Sequence, residues 1–131
     1  VIILDTHVWV WWSLEPGRLS LRQLAMIEAA TPAAPVGISE ISVWEVAKLV
    51  QLSRLELPVP VDVWVRDALA FPTVTLVPLS PMVAIASTQL PASFHRDPAD
   101  EMLVATARVH GCPLLTCDRK LLNYPHVETV G

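Results

Sequence analysis

Glycine occurs only four times in these 131 residues. No Gly-rich phosphate loop can be built from so few, and the G-x-S-x-G turn of a serine nucleophile is absent. Cysteine occurs twice, as Cys112 and Cys117. On one strand their Cα atoms would lie roughly 16 Å apart, far beyond disulfide reach. Two unpaired cysteines suit a reducing cytosol, and no basic-then-apolar signal segment opens the chain, so a cytoplasmic protein is expected. A membrane-spanning run is missing too. Residues 68–95 carry no formal charge if His95 is neutral, but Pro72, Pro78, Pro81 and Pro91 interrupt them. Basic residues are outnumbered, 9 Lys and Arg against 13 Asp and Glu. That balance weighs against a general nucleic-acid binder, which carries a basic footprint. Charged residues are only 17% of the chain, low enough to expect apolar surface for a partner. The four histidines, His7, His95, His110 and His126, show no metal-ligand spacing and read as surface or structural.

What is present is a hydrophobic fraction of 53% in a length that suits one domain, residues 1–131. The chain reads as alternating strands and helices. "VIIL" is a buried strand, followed by helices "THVWVWWSL" and "LSLRQLAMIEAA" on either side of the breaker "EPGR". "APVGIS" is a strand, and "SEISVWEVAKLVQL" a helix capped by Ser39. "VDVWVRDALAF" is a helix closed by Pro72, "TVTLVPL" a strand, and "SPMVAIASTQL" a helix with Pro81 at its first position. "DPADEMLVATARVHG" is a helix with Asp97 as cap, Pro98 at N1 and Gly111 as stop. "CPLLT", a short helix "DRKLLNY" and a strand "HVETV" close the chain. Wholly apolar strands separated by helices predict a parallel α/β sheet with helices on both faces. In such sheets ligands bind beyond the carboxyl ends of the strands.

Four acids fall where that rule looks for chemistry. Asp5 ends the first strand and Asp118 follows "PLLTC". Each also reads as the cap of the next helix. Glu45 has Ile41, Leu49 and Leu52 as helical neighbours, on a helix apolar almost all round and therefore expected to be largely buried. Its ordinary explanation is an ion pair with Lys48. Asp100 stands three residues after the cap Asp97, the place of a capping-box acid, but Leu103, Val104 and Ala107 continue its face. Glu101 shares a different face with Arg108 and reads as solvated. Four carboxylates converging at one sheet edge repel one another. A hard divalent cation resolves that repulsion, and such a site hydrolyses phosphodiesters. Removing the four from 13 acids leaves 9, equal to the 9 basic residues. The five tryptophans read as core or interface.

These stretches carry a resemblance. "ILDTHVWVWW", "ISVWEVAKL", "FHRDPADEMLVATA" and "LLTCD" come in the order found in PIN-domain ribonucleases, specifically the VapC-type toxins of VapBC toxin–antitoxin pairs. The resemblance spans almost the whole chain. It implies a Rossmann-like sheet and a four-acid site at Asp5, Glu45, Asp100 and Asp118 that binds Mg²⁺ or Mn²⁺ and cleaves RNA. It also implies an antitoxin that neutralises the enzyme, and a toxin homodimer. Thr6, Ser42, Asp97 and Thr116 stand beside the acids as supporting residues. The residue after the third acid is commonly Arg in this subfamily; here it is Glu101, so Arg96 and Arg119 are the candidates for gripping phosphate.

Two other readings compete. A phosphatase or phospho-acceptor on an α/β scaffold needs a nucleophilic Asp and usually a lysine nearby, but Lys48 and Lys120 are the only lysines and neither follows a strand. A non-catalytic binding module of the same fold is expected to lose one or more of the acids, and all four are present.

Overall fold

The strand that opens the chain, Ile2–Leu4 (β1), consists of isoleucine and leucine side chains that suit a doubly covered sheet. A computed structural model describes all residues, 1–131. After β1 come α1 (Thr6–Leu14), a one-turn 3₁₀ segment at Pro16–Arg18, and α2 (Leu21–Glu28). Then follow β2 (Val36–Ser39), α3 (Glu40–Gln51), α4 (Val61–Leu69), β3 (Val74–Val77) and α5 (Pro81–Ser87). The chain ends with α6 (Pro98–His110), β4 (Leu114–Leu115), α7 (Arg119–Leu122) and β5 (Thr129–Val130). No helix is long and apolar enough to cross a membrane.

All neighbouring strands pair in parallel, in the order β3-β2-β1-β4-β5. The chain therefore builds outward from β1 in one direction, then returns to its other side for β4 and β5. The switch between β1 and β4 opens a crevice at the carboxyl ends of those two strands. Side-chain alternation sends neighbouring strand residues to opposite layers. Leu4, Val36, Ile38 and Leu115 join Val8, Trp9, Val46 and Trp64 on one face. Ile3, Leu114 and Val77 join Leu103, Val104, Ala107 and Leu121 on the other. Helices thus cover both faces, as the apolar strands predict.

The expected caps hold. Ser39 Oγ accepts from Ile41 N at 3.2 Å, and Ser80 Oγ accepts from Val83 N at 3.2 Å. Gly111 has φ 61°, the left-handed conformation that ends a helix cheaply only at glycine. Ser20 and Gln23 form a reciprocal capping box, with both bonds at 3.1 Å. Gln23 is also buried, and its Nε2 donates to the Thr116 and Val130 carbonyls at 3.1 and 3.0 Å. This amide ties α2 to the ends of β4 and β5. Gly37 has another purpose: a Cβ there would stand 2.7 Å from Ile3 Cδ1. The cysteines are unpaired, as expected.

Three expectations need correction. Helix α3 is not largely buried: only Ser42 and Val46 are, and Trp44 is 56% exposed. One face lies against the protein, while on the outer face Trp44 stands exposed among Glu40, Ala47, Lys48 and Gln51. Strand β3 is not covered on both sides either; it is an edge strand, and Thr75 and Leu76 are exposed. Glu101 is half-buried rather than solvated, because α6 runs between the sheet and α5. Among the tryptophans, Trp9 and Trp64 lie in the core with ring centroids 4.9 Å apart, while Trp11 and Trp12 are half-buried at its margin.

Candidate active site

The crevice at the switch point is lined by Asp5 and Asp118, and Glu45 and Asp100 lie near enough for Asp5 to act on their charge. Asp5 N continues the β1 ladder by donating to Leu115 O at 2.9 Å. The backbone then turns into α1, with Asp5 at the cap position but making no side-chain capping bond. Its carboxylate is instead committed to the neighbouring strand: Thr116 Oγ1 donates to Asp5 Oδ2 at 2.8 Å. The same hydroxyl accepts the Asp118 N–H at 3.0 Å. Thr116 therefore holds the two strand-end acids in one register. Asp118 also does what an ordinary cap does, since its Oδ1 accepts from Lys120 N at 2.8 Å.

Glu45 reaches the crevice from α3. Thr6 Oγ1 lies 2.5 Å from Glu45 Oε1 and 2.8 Å from Ser42 Oγ. A hydroxyl has one proton, so Thr6 gives it to the carboxylate and accepts that of buried Ser42. Lys48 does not pair with Glu45; its Nζ donates to Gln51 Oε1 at 2.8 Å. Asp100 arrives from the first turn of α6. Asp97 Oδ1 accepts the Asp100 N–H at 3.1 Å and so caps the helix. The Asp100 carboxylate points away from a capping-box bond and meets His95, with Nε2 to Oδ2 at 2.6 Å.

Three of these carboxyls have pKa values raised above the ordinary ones and are weaker acids than usual, each first because of burial. Asp5, only 5% exposed, is raised by desolvation against the Thr116 bond, the His7 ring and the Thr6 N–H, all of which lower it, while the charge of Asp118 adds the smallest upward push. Glu45 is raised by desolvation against the Thr6 bond, with Asp5, Asp100 and Asp97 adding repulsion. Asp100 is raised by desolvation against the His95 bond, with Asp97 and Asp5 adding repulsion. Asp5 thus exchanges charge interactions with each of the other three acids. No lysine or arginine pairs with any of them. The ion pairs are Arg18–Glu15, Arg66–Asp67 and His95–Asp100.

No three His, Cys, Asp or Glu side chains lie close enough to hold an ion as they stand. The hydroxyls of Thr116 and Thr6 and the His95 ring each take one carboxylate oxygen, on Asp5, Glu45 and Asp100. The second oxygen of each has no side-chain donor, and no buried polar atom in the chain lacks a partner, so those oxygens open to solvent. The donors are hard, anionic oxygens, poorly solvated and short of basic partners. That chemistry fits a hard divalent cation better than a soft one.

The structure does not bring Arg96 or Arg119 into a pair with any acid; both are exposed. His95 was hidden among the histidines because its contact with Asp100 spans five residues across a helix start, where no ligand spacing applies. Its signal is its place just before the Asp97–Pro98 cap. A cavity of about 250 Å³ lies against Asp5 and Asp118, with His7, Trp11 and Cys117 as its other walls.

The PIN domain family profile matches residues 2–127. The chain is 40% identical over 129 residues to "Ribonuclease VapC22" of Mycobacterium tuberculosis (strain ATCC 25618 / H37Rv), covering 98% of this chain and 95% of that one. Among solved structures it resembles VapBC2 from Rickettsia felis bound to a promoter DNA fragment, with TM-score 0.70, 13% identity, and 98% and 96% of the two chains covered. It also resembles a toxin–antitoxin complex from Klebsiella pneumoniae, with TM-score 0.69, 20% identity, and 100% and 97% covered. The parallel sheet and the coverage agree, and the chain belongs to the PIN domain family, among its VapC-type members.

Proposed function

We propose that this chain is a Mg²⁺- or Mn²⁺-dependent endoribonuclease toxin, restrained by a cognate antitoxin. The observation that carries the reading is Asp5: a buried carboxylate at the switch point, bonded to a threonine hydroxyl, repelled by three other acids and paired with no base. Asp5, Glu45, Asp100 and Asp118 are the residues that would hold the ion. When bound, a divalent ion supplies positive charge for the phosphate and makes a water a better nucleophile.

The chain's own residues do the rest. Thr116 fixes Asp5 and the start of the Asp118 turn, and Thr6 with Ser42 fixes Glu45. His95 orients Asp100, and Asp97 holds the helix start beneath it. Arg96 and Arg119, exposed next to Asp97 and Asp118 in the chain, meet flanking phosphates. Proton transfer belongs to the coupled carboxylates as a group rather than to a single base.

The name of the VapC22 relative supports RNA as substrate, and the toxin–antitoxin complexes among its structural neighbours support a protein inhibitor. Exposed Trp44, Phe71 and Met82 offer apolar surface for that partner and for a second copy of the chain. Residues 1–131 act as one catalytic unit, and the two free thiols suit the cytoplasm. The test is incubation of the purified chain with single-stranded RNA in Mg²⁺ or EDTA, with and without the antitoxin. Cleavage in Mg²⁺ alone, suppressed by the antitoxin, is expected. Equal cleavage in EDTA, or none in Mg²⁺, contradicts the reading.

A further inference from the structure

The cavity against Asp5 and Asp118 does not end there. His7 and Trp11 also belong to the wall of a larger one, about 540 Å³, which begins at Thr6 and runs along α1. That volume falls in the ~300–1,000 Å³ range of small-molecule sites. Its basic residues are Arg18 and Arg54. We propose that this cavity binds the nucleotide next to the scissile phosphate, with Trp11 and Arg18 stacking on its base and Arg54 pairing with its phosphate. The proposal rests on the ribonuclease reading.

Three observations carry it. The first is continuity. Trp11 and His7 wall both cavities, so an RNA strand lying on the acids passes directly onto the Trp11 ring. The second is a stacking platform already assembled in the protein. The Arg18 guanidinium sits 4.1 Å from the Trp11 ring centroid, and the His7 ring centroid lies 5.9 Å from that of Trp11. Base–aromatic stacking with arginine support is how proteins hold single strands without depending on sequence. The third is charge. Arg54 is an exposed cation on the wall of this cavity, and it has no ion-pair partner. Arg18 is tied to Glu15 at 3.6 Å on an exposed surface, a pairing weak enough to yield to stacking. Glu15 and Glu56 line the same cavity.

The test measures binding apart from cleavage. An Asp5→Asn chain is titrated in Mg²⁺ with a short, fluorescein-labelled single-stranded RNA of mixed sequence, and anisotropy gives Kd. Arg54→Gln, Arg18→Gln and Trp11→Leu are then added singly, with Arg66→Gln as a control on a distant exposed arginine. Trp11→Leu should weaken binding about tenfold or more. Arg54→Gln should lower the slope of log K against log salt by about 0.7, the value for one phosphate on a single strand. Arg66→Gln should change neither. In the otherwise unaltered chain, Arg54→Gln should raise KM and leave kcat within about twofold, as loss of uniform binding does. Unchanged Kd and salt slope in Arg54→Gln together with unchanged Kd in Trp11→Leu overturns the subsite, even if the unaltered chain cuts RNA. If the variants lose RNA affinity while the unaltered chain cuts nothing, the subsite stands and the ribonuclease reading falls.

Discussion

His95 Nε2 lies 2.6 Å from Asp100 Oδ2, and it is the sole ion-pair partner of any acid in the crevice. Phe94 packs edge-on to the His95 ring, with centroids 4.3 Å apart, and stacks on Tyr124 at 4.8 Å. Tyr124 in turn donates its hydroxyl proton to Pro91 O at 2.5 Å. The ring is therefore braced by aromatic contacts, and through it Asp100 is braced as well.

A partner behind a metal-ligating group sets its orientation, and its loss costs roughly 10–100-fold in metal affinity. His95→Ala should weaken Mn²⁺ binding within that range by calorimetry, whereas His95→Gln, which keeps an N–H donor, should recover most of it. Equal Mn²⁺ affinity in His95→Ala and the unaltered chain would leave His95 a packing residue only.

Thr116 has two obligations, the Asp5 carboxylate and the Asp118 N–H. Thr116→Val keeps the shape and removes both bonds at a residue that is itself fully buried. Unfolding in urea should show a loss of about 1–3 kcal/mol, the cost of stranding buried polar groups. A loss under a few tenths would mean that the hydroxyl contributes nothing to holding the strand ends together.

Asp5, Glu45 and Asp100 are held above the ordinary values of 3.8 for Asp and 4.5 for Glu, chiefly by burial. The folded state therefore keeps these protons to higher pH than the unfolded chain does. Without metal, their contribution to stability is fully present below the ordinary values and declines as pH rises through the raised ones. Asp5→Asn cannot ionise, so in EDTA its melting temperature should move up relative to the unaltered chain as pH rises from 3.8 toward neutrality. A difference that shrinks over that window contradicts the assignment of Asp5 as a desolvated, unpaired acid.

Asp97 and Asp100 divide one short stretch between capping and site duties. Asp97→Ser keeps an oxygen for the Asp100 N–H and should cost well under about 1 kcal/mol, while Asp97→Ala should cost roughly 1 kcal/mol. Asp100→Asn should leave stability close to that of the unaltered chain and abolish RNA cleavage. A stable but inactive Asp97→Ser beside an active Asp100→Asn would move the site role to Asp97.

Local chemistry explains which of these features were readable from sequence. Asp97–Pro98, Ser39 and Gly111 mark helix ends through bonds to their own backbone neighbours, so a few residues suffice to place them. Asp5 and Asp118 follow apolar strands, and a parallel sheet puts such residues at one edge. Contacts made across the fold left no such trace. The His95–Asp100 bond bridges a helix start, Gln23 reaches two carbonyls about a hundred residues away, and Arg18 finds Trp11 only after the chain turns at Pro16. The outer face of α3 misled for a related reason. Apolar periodicity records what a helix can bury, and Trp44 has nothing over it within this chain.

The central claim is that four acids, which stand apart in the metal-free chain, form one cation site. Calorimetric titration with Mn²⁺ of the unaltered chain and of Asp5→Asn, Glu45→Gln, Asp100→Asn and Asp118→Asn tests it most directly. The account predicts saturable binding to the unaltered chain and at least about tenfold weaker binding in each amide variant, since a shared site fails as a unit. Wild-type affinity in two or more of the four variants, or no saturable binding to the unaltered chain, would contradict it.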